Sequence, residues 1–216
     1  VVKDADAAWT ATRPEERKAR ADCAVSWIAT WARSDALLGN IATKQASYRR
    51  TWEMTGIALA YLKVHQHASE PDRAAIHSWL ERLAAAGEKL FENGDVKRNN
   101  QWYWLGLGLA AISTTTNDPG MWLRARRVMQ DAADSVDANG MLPMELARGK
   151  RALHYHSFAL TALVAMAEIA AARGEDWYAF GDGALHRLVD TTCRGLQSPQ
   201  IFTAKAGIAQ DLPVTA

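Results

Sequence analysis

The sequence has little cysteine, little proline and no surplus of either charge. With only Cys23 and Cys193, far apart, and no CxxC or Cys/His spacing, neither a disulfide-knit scaffold nor a zinc module is encoded. Whether the pair are buried thiols or one bridge stays open. Lys plus Arg total 25 against 24 for Asp plus Glu, a formal charge of +1, so nothing marks a nucleic-acid binder. A few well-placed cations could still serve an acidic ligand. No uninterrupted apolar run reaches the length of a membrane span. No strand-like alternation or hairpin turn appears, and no repeat of fixed period, which excludes regular solenoids. The chain opens on Val1-Val2-Lys3-Asp4 without a start Met or a secretory core. It closes on Asp211 to Ala216, so a single domain over 1–216, truncated at both ends, is expected.

What is present is helical. The 216 residues are 49% hydrophobic and 23% charged, a globular composition. Pro14-Glu15-Glu16 is a helix start with Thr12 as a possible cap, and Cys23, Ala24, Trp27, Ile28 and Trp31 recur at helical spacing until Gly39-Asn40. A second helix is predicted over about Thr43–His65, with Tyr48, Trp52, Ile57, Ala60, Tyr61 and Val64 on its apolar side. Ser69-Glu70-Pro71-Asp72 opens a third, ending near Asn93-Gly94. Further helices are expected over Gln101–Ile112, after Asn117-Asp118-Pro119, over about Ala152–Arg173 and over about Trp177–Leu196. Met141 to Lys150 reads as irregular. The class is all-α, with antiparallel helix pairs forming either a bundle or a curved toroid.

Nine tryptophans are many for this length. Core packing is the plain explanation for each, while exposed indole faces suit sugar rings. Two clusters need more than packing. In Lys97-Arg98-Asn99-Asn100-Gln101-Trp102-Tyr103-Trp104, cations, amides and aromatics crowd a helix start, where unpaired N–H groups favour an anion. Asn99 could equally be an ordinary cap. In Arg148-Gly149-Lys150-Arg151-Ala152-Leu153-His154-Tyr155-His156, three cations precede a tyrosine flanked by histidines, the setting in which a phenol can serve as a base. Gln45, Tyr48 and Trp52 form a weaker group on one helix face. Arg49 and Arg50 are expected to face solvent.

These residues carry a resemblance. The run 99–104, the segment Leu142 to Leu160 with Arg148-Gly149-Lys150-Arg151-Ala152-Leu153 ahead of Tyr155-His156, and the stretch Trp52 to Lys63 resemble the alginate lyases of polysaccharide lyase family five. The likeness runs from the Trp27–Leu38 helix to about Asp211. It implies an incomplete α/α toroid and β-elimination on a polyuronate. The C5 proton of the uronate is a poor acid while the adjacent carboxylate is charged, so that charge must be offset and the enediolate stabilised. By the resemblance, Asn100 and Arg148 would bind the carboxylate, and Tyr155 would take the C5 proton and protonate the leaving oxygen. Gln45, Tyr48, Trp52, Trp104, Arg151 and His154 would line the sugar cleft.

Two positions depart from the family pattern. Gln101 stands where the family carries histidine, and an amide takes up no proton near neutral pH. It is either an introduced substitution that slows turnover while substrate is held, or a natural variant relying on Tyr155 alone or no longer catalytic. His154 precedes Tyr155 where familiar members carry other residues, which suits a wider polyuronate range including glucuronate polymers. No cofactor or metal is expected. The expected partner is an anionic, mannuronate-rich polysaccharide, with no nucleic acid or membrane. The resemblance places the protein in the periplasm or outside the cell. A polyuronate-holding pseudoenzyme is the rival reading. A helical-toroid glycosidase would need two opposed carboxylates; Glu145 and Asp137 are available, but no paired motif supports that role.

Overall fold

The computed structural model describes residues 1–92 and 96–211. Ten α-helices are found there: α1 Val2–Thr10, α2 Pro14–Arg33, α3 Lys44–Val64, α4 Glu70–Glu88, α5 Asn100–Thr116, α6 Pro119–Ser135, α7 Pro143–Leu146, α8 Ala152–Ala172, α9 Phe180–Gln197 and α10 Gln200–Ala206. No strand occurs among the described residues, as the sequence led one to expect.

Local chemistry explains most helix starts. Thr43 caps α3, its hydroxyl accepting from the Ala46 N–H at 3.2 Å. Ser69 caps α4 through the Asp72 N–H at 3.3 Å, and Pro71 occupies the first turn, where its missing N–H costs nothing. Asp118 accepts from the Met121 N–H at 3.0 Å to open α6. Thr12 makes no cap: α2 starts after Arg13 without a capping side chain. That helix also ends at Arg33, short of Gly39, because Asp35 and Leu37 take positive φ angles of 51° and 65°. The predicted end near Asn93-Gly94 lies outside the described residues.

The chain divides into two compact units. The first, Val1–Val96 with Gly108–Trp122, pairs α1 with α2 and α3, and α4 with α2 and α3. Its core holds Ile28, Met54, Tyr61, Ile76, Trp79, Leu80 and Leu83, all at most 1% exposed. The buried stripe of α2 is Ala21, Ala24, Val25, Ile28, Ala29 and Ala32, whereas Cys23 and Trp27 face outward. The predicted apolar side of that helix is therefore rotated by about one residue. Alanine packs closely and lets the larger indole remain at the surface.

The second unit, Lys97–Leu107 with Leu123–Ala216, is built on α8, which packs on α7, α9 and α10. The stretch Gly149–Ala172 is long and apolar enough to cross a membrane by length and composition. Here Ala152, Leu153, His156, Ala159, Ala162, Leu163, Met166, Ala167 and Ala170 are buried in the unit's core. Met141, Ala152, Leu153 and Phe202 form a cluster that pins the Met141–Lys150 segment against the end of the chain. Gly140, with φ of 71°, makes the preceding turn, and a side chain there would strike the Arg187 carbonyl at 2.4 Å. Cys23 and Cys193 are both exposed free thiols, so neither alternative of burial or a bridge holds. Trp79, Trp102, Trp122 and Trp177 are core residues, while Trp9 and Trp27 are exposed.

Gly195 lets α9 approach Phe202 so closely that an added Cβ would lie 2.3 Å from the ring. The substitution Gly195→Ala should therefore destabilise by about 1–3 kcal/mol through overpacking. Denaturant titration would show this as a lower midpoint, and an unchanged midpoint would contradict the packing described.

Candidate active site

The second unit brings together most of the residues singled out in the sequence. At the start of α5, Asn99 accepts the Gln101 N–H on its side-chain oxygen at 3.1 Å, and its carbonyl accepts from Trp102 at 2.8 Å. Asn99 is thus a cap. Asn100 is fully buried. Its backbone N–H donates to Glu145 Oε1 at 2.7 Å, and its Nδ2 donates to Oε1 and Oε2, both at 3.0 Å. The anion that the helix start favours is supplied by the chain itself. Arg98 is occupied as well, paired with Asp131 at 3.1 Å and lying 4.6 Å over the Trp102 ring.

Glu145, on α7, is the residue that sequence reasoning left without a role. It was available as a glycosidase carboxylate, yet it is buried and committed to Asn100, with Arg148 Nε 3.7 Å away. Burial pushes its carboxyl above the ordinary range, opposed by the Asn100 donors and by Arg148. Asp137 serves a turn, accepting from the N–H groups of Asn139 and Met141 at 2.8 and 2.9 Å. The glycosidase reading has no support in these two residues. The available signal for Glu145 was its place three residues before Arg148, in the turn leading to Tyr155.

Gln101 is 8% exposed. Its Nε2 donates to Asn100 Oδ1 at 3.1 Å, and its Oε1 is buried with no hydrogen-bond partner among the described residues. Tyr155, near the start of α8, lies under two guanidinium groups: Arg148 Cζ is 4.4 Å and Arg151 Cζ 5.2 Å from its ring centroid. His154 meets the same ring edge-on at 5.3 Å and is parallel to Phe158 at 6.5 Å. Trp104 packs on Phe158 at 4.9 Å and donates from Nε1 to the Phe158 carbonyl at 3.2 Å. Arg148 is 38% exposed, so its charge is within reach of an anionic ligand. No group of three or more His, Cys, Asp or Glu residues that could hold a metal occurs among the described residues.

The chain matches the alginate lyase family model over residues 3–202. It belongs to that family. It is 42% identical over 201 residues to a polysaccharide lyase of Stenotrophomonas maltophilia strain K279a, covering 92% of this chain and 60% of the relative. It is 33% identical to an alginate lyase of Pseudomonas syringae pv. syringae, covering 93% of this chain and 54% of that one. The chain thus spans only 54% to 60% of the length of these relatives. Among solved structures, alginate lyase A1-III from Sphingomonas species A1 superposes with a TM-score of 0.84 at 23% identity, over 97% of this chain and 61% of that one. A variant of alginate lyase A1-III complexed with a tetrasaccharide gives a TM-score of 0.83 at 23% identity, over 96% of this chain and 62% of that one. The all-α class and the α/α toroid expected from the resemblance are accordingly the fold of this family member.

Gln45, Tyr48 and Trp52 share one face of α3 in the first unit, where Gln45 is exposed and the two aromatics are half-buried. Arg49 and Arg50 help line a cavity of about 900 Å³ in that unit. Arg50 departs from the expectation of a solvent-facing cation. It is half-buried, donates to the Ala86 carbonyl at 3.4 Å, and its acidity is raised by burial.

His156, two residues from His154, has a structural task. Its Nε2 accepts the Leu142 N–H at 2.9 Å, and its Nδ1 meets the Ala152 carbonyl at 2.8 Å, which fixes the tautomer with hydrogen on Nδ1. This ties the segment bearing Glu145 and Arg148 to the helix bearing Tyr155. Burial lowers the imidazole from 6.5 to about 4. Because the folded value is depressed, the unfolded chain binds the proton first. This contribution is intact above about pH 6.5 and is lost as pH falls toward 4. Unfolding measured at pH 7 and pH 5 should show about 2 kcal/mol less stability at pH 5 from this group. A His156→Gln variant should lose that slope, and an equal slope in both proteins would exclude the assignment.

Proposed function

We propose that this protein is a polysaccharide lyase that cleaves 4-O-linked polyuronates, mannuronate-rich alginate foremost, by β-elimination. The observation that carries the reading is the pair of guanidinium groups held on the ring of Tyr155, on a fold and in a family consistent with that chemistry. A uronate carboxylate meeting Arg148 has its charge offset, which makes the C5 hydrogen more acidic and stabilises the enediolate that forms. Tyr155 takes the C5 proton. The electron pair left on C5 forms the C4–C5 double bond, the C4–O4 bond breaks, and the proton passes to the departing oxygen. Asn100 contributes from behind this surface, through its bonds to Glu145 and Gln101. His154 meets the Tyr155 ring edge-on and Trp104 packs on Phe158, and with Arg151 they offer ring faces and charge to neighbouring sugars. Gln45, Tyr48 and Trp52 are assigned to further sugar contacts on α3. His154 widens the accepted range toward glucuronate polymers. A polymeric substrate of this kind places the protein in the periplasm or outside the cell.

Gln101 gives the reaction no proton-transferring imidazole, so turnover is attenuated. This also favours a second reading, in which the protein holds polyuronate without cleaving it. One assay separates the two: ultraviolet detection of the unsaturated product on polymannuronate, polyguluronate and polyglucuronate. The unsubstituted chain should form product slowly, Gln101→His should be faster by roughly 10²- to 10⁴-fold, and Tyr155→Phe should form none. Absence of product from both the unsubstituted chain and the Gln101→His variant would leave the holding reading in its place.

A further inference from the structure

The hydrogen bonds around Asn100 have a direction, and one residue outside the reacting set imposes it. Glu145 receives the backbone N–H and the Nδ2 of Asn100, and as a carboxylate it offers only acceptors. Asn100 must therefore turn its amide nitrogen to Glu145 and its Oδ1 away. That oxygen receives Gln101 Nε2 at 3.1 Å, so Gln101 must turn its own nitrogen inward. What remains at the end of the chain of bonds is Gln101 Oε1, the buried acceptor with no partner among the described residues. Rotating Gln101 alone would set two carbonyl oxygens against each other. The same carboxylate lies 3.7 Å from Arg148 Nε, on the guanidinium that covers Tyr155.

We infer that Glu145 is the positioning residue of this site: it sets the amide polarity of Asn100 and Gln101 and orients Arg148 toward Tyr155. The end left over at position 101 is then an enclosed acceptor rather than a donor. The functional half of this inference rests on the proposed lyase reading, while the polarity is a property of the protein alone.

The polarity predicts a reversal in mutant stability. Gln101→Glu places a carboxylate against Asn100 Oδ1, where no donor faces it, and should lower the melting temperature at pH 8 by roughly 4 °C or more. Glu145→Gln can still accept the Asn100 backbone N–H while donating to Oδ1. Asn100 then turns over and offers its nitrogen to position 101. Added to Gln101→Glu, the second substitution should therefore raise the melting temperature, although Glu145→Gln lowers it in the unsubstituted chain. Additive losses would overturn the inference. Should Gln101→Glu not fold, exchange of the Gln101 carboxamide protons decides. It should be at least tenfold faster in Glu145→Gln than in the unsubstituted chain, and equal rates would overturn the polarity.

On polymannuronate, Glu145→Gln should lower kcat about tenfold and leave KM within about threefold, since a misdirected guanidinium is missed most as the enediolate forms. An unchanged kcat would remove the positioning role. If neither the unsubstituted chain nor Gln101→His forms product, the lyase reading fails while the stability reversal still tests the polarity. If product forms and the reversal is absent, this inference alone fails.

Discussion

The second unit is organised around a carboxylate set into the start of a helix. Glu145 meets the first N–H of α5, where the aligned peptide dipoles favour negative charge, and takes the Asn100 side chain as well. A buried carboxylate without such partners would be strongly unfavourable. With them, it fastens the turn that carries Arg148 to the helix that carries Asn100 and Gln101. His156 fastens the opposite end of that turn, accepting the Leu142 N–H on the ring nitrogen that faces it. Both anchors sit on buried side chains, so the Arg148 guanidinium, itself at the surface, is supported by groups that solvent does not reach.

From this follows a division of labour between buried and exposed groups. Arg148 and Arg151 bring charge to the surface and lie over Tyr155, whereas Asn100 and Gln101 are enclosed. The resemblance assigns Asn100 to a substrate carboxylate, whereas in this structure its amide nitrogen is taken by Glu145. The anion site is real and already filled by the protein's own carboxylate. The group at the surface is the Arg148 guanidinium, and the buried amides stand behind it.

The parts of this arrangement legible in the sequence were those written in local chemistry. Ser69 before Pro71, Thr43 before α3 and Asp118 before Pro119 each announce a helix start by capping, a contact within one turn. The run from Arg148 to His156 shows its cations and phenol as near neighbours because they straddle a single helix start. Less legible were features decided by distant partners. The alanine stripe of α2 buries a face one residue away from the one its larger side chains suggest. The short α10 and its Phe202 acquire meaning only against Gly195 and Leu153. Glu145 looked like an available acid because its partner lies 45 residues earlier.

The same distinction bears on position 101. The resemblance implies an imidazole there, a group able to take and return a proton near neutral pH, where this chain carries an amide. The structure adds that the amide is not a loose replacement. Its nitrogen is held by Asn100, whose own orientation is dictated by Glu145, so its oxygen is the end left over. An imidazole in this place could meet Asn100 Oδ1 with one N–H and keep a second nitrogen for proton transfer. The amide keeps the first interaction and replaces the second with an acceptor that cannot be protonated at neutral pH. Gln101 thus keeps the inner hydrogen bond to Asn100, and under the proposed lyase reading Tyr155 is the group left to move the proton.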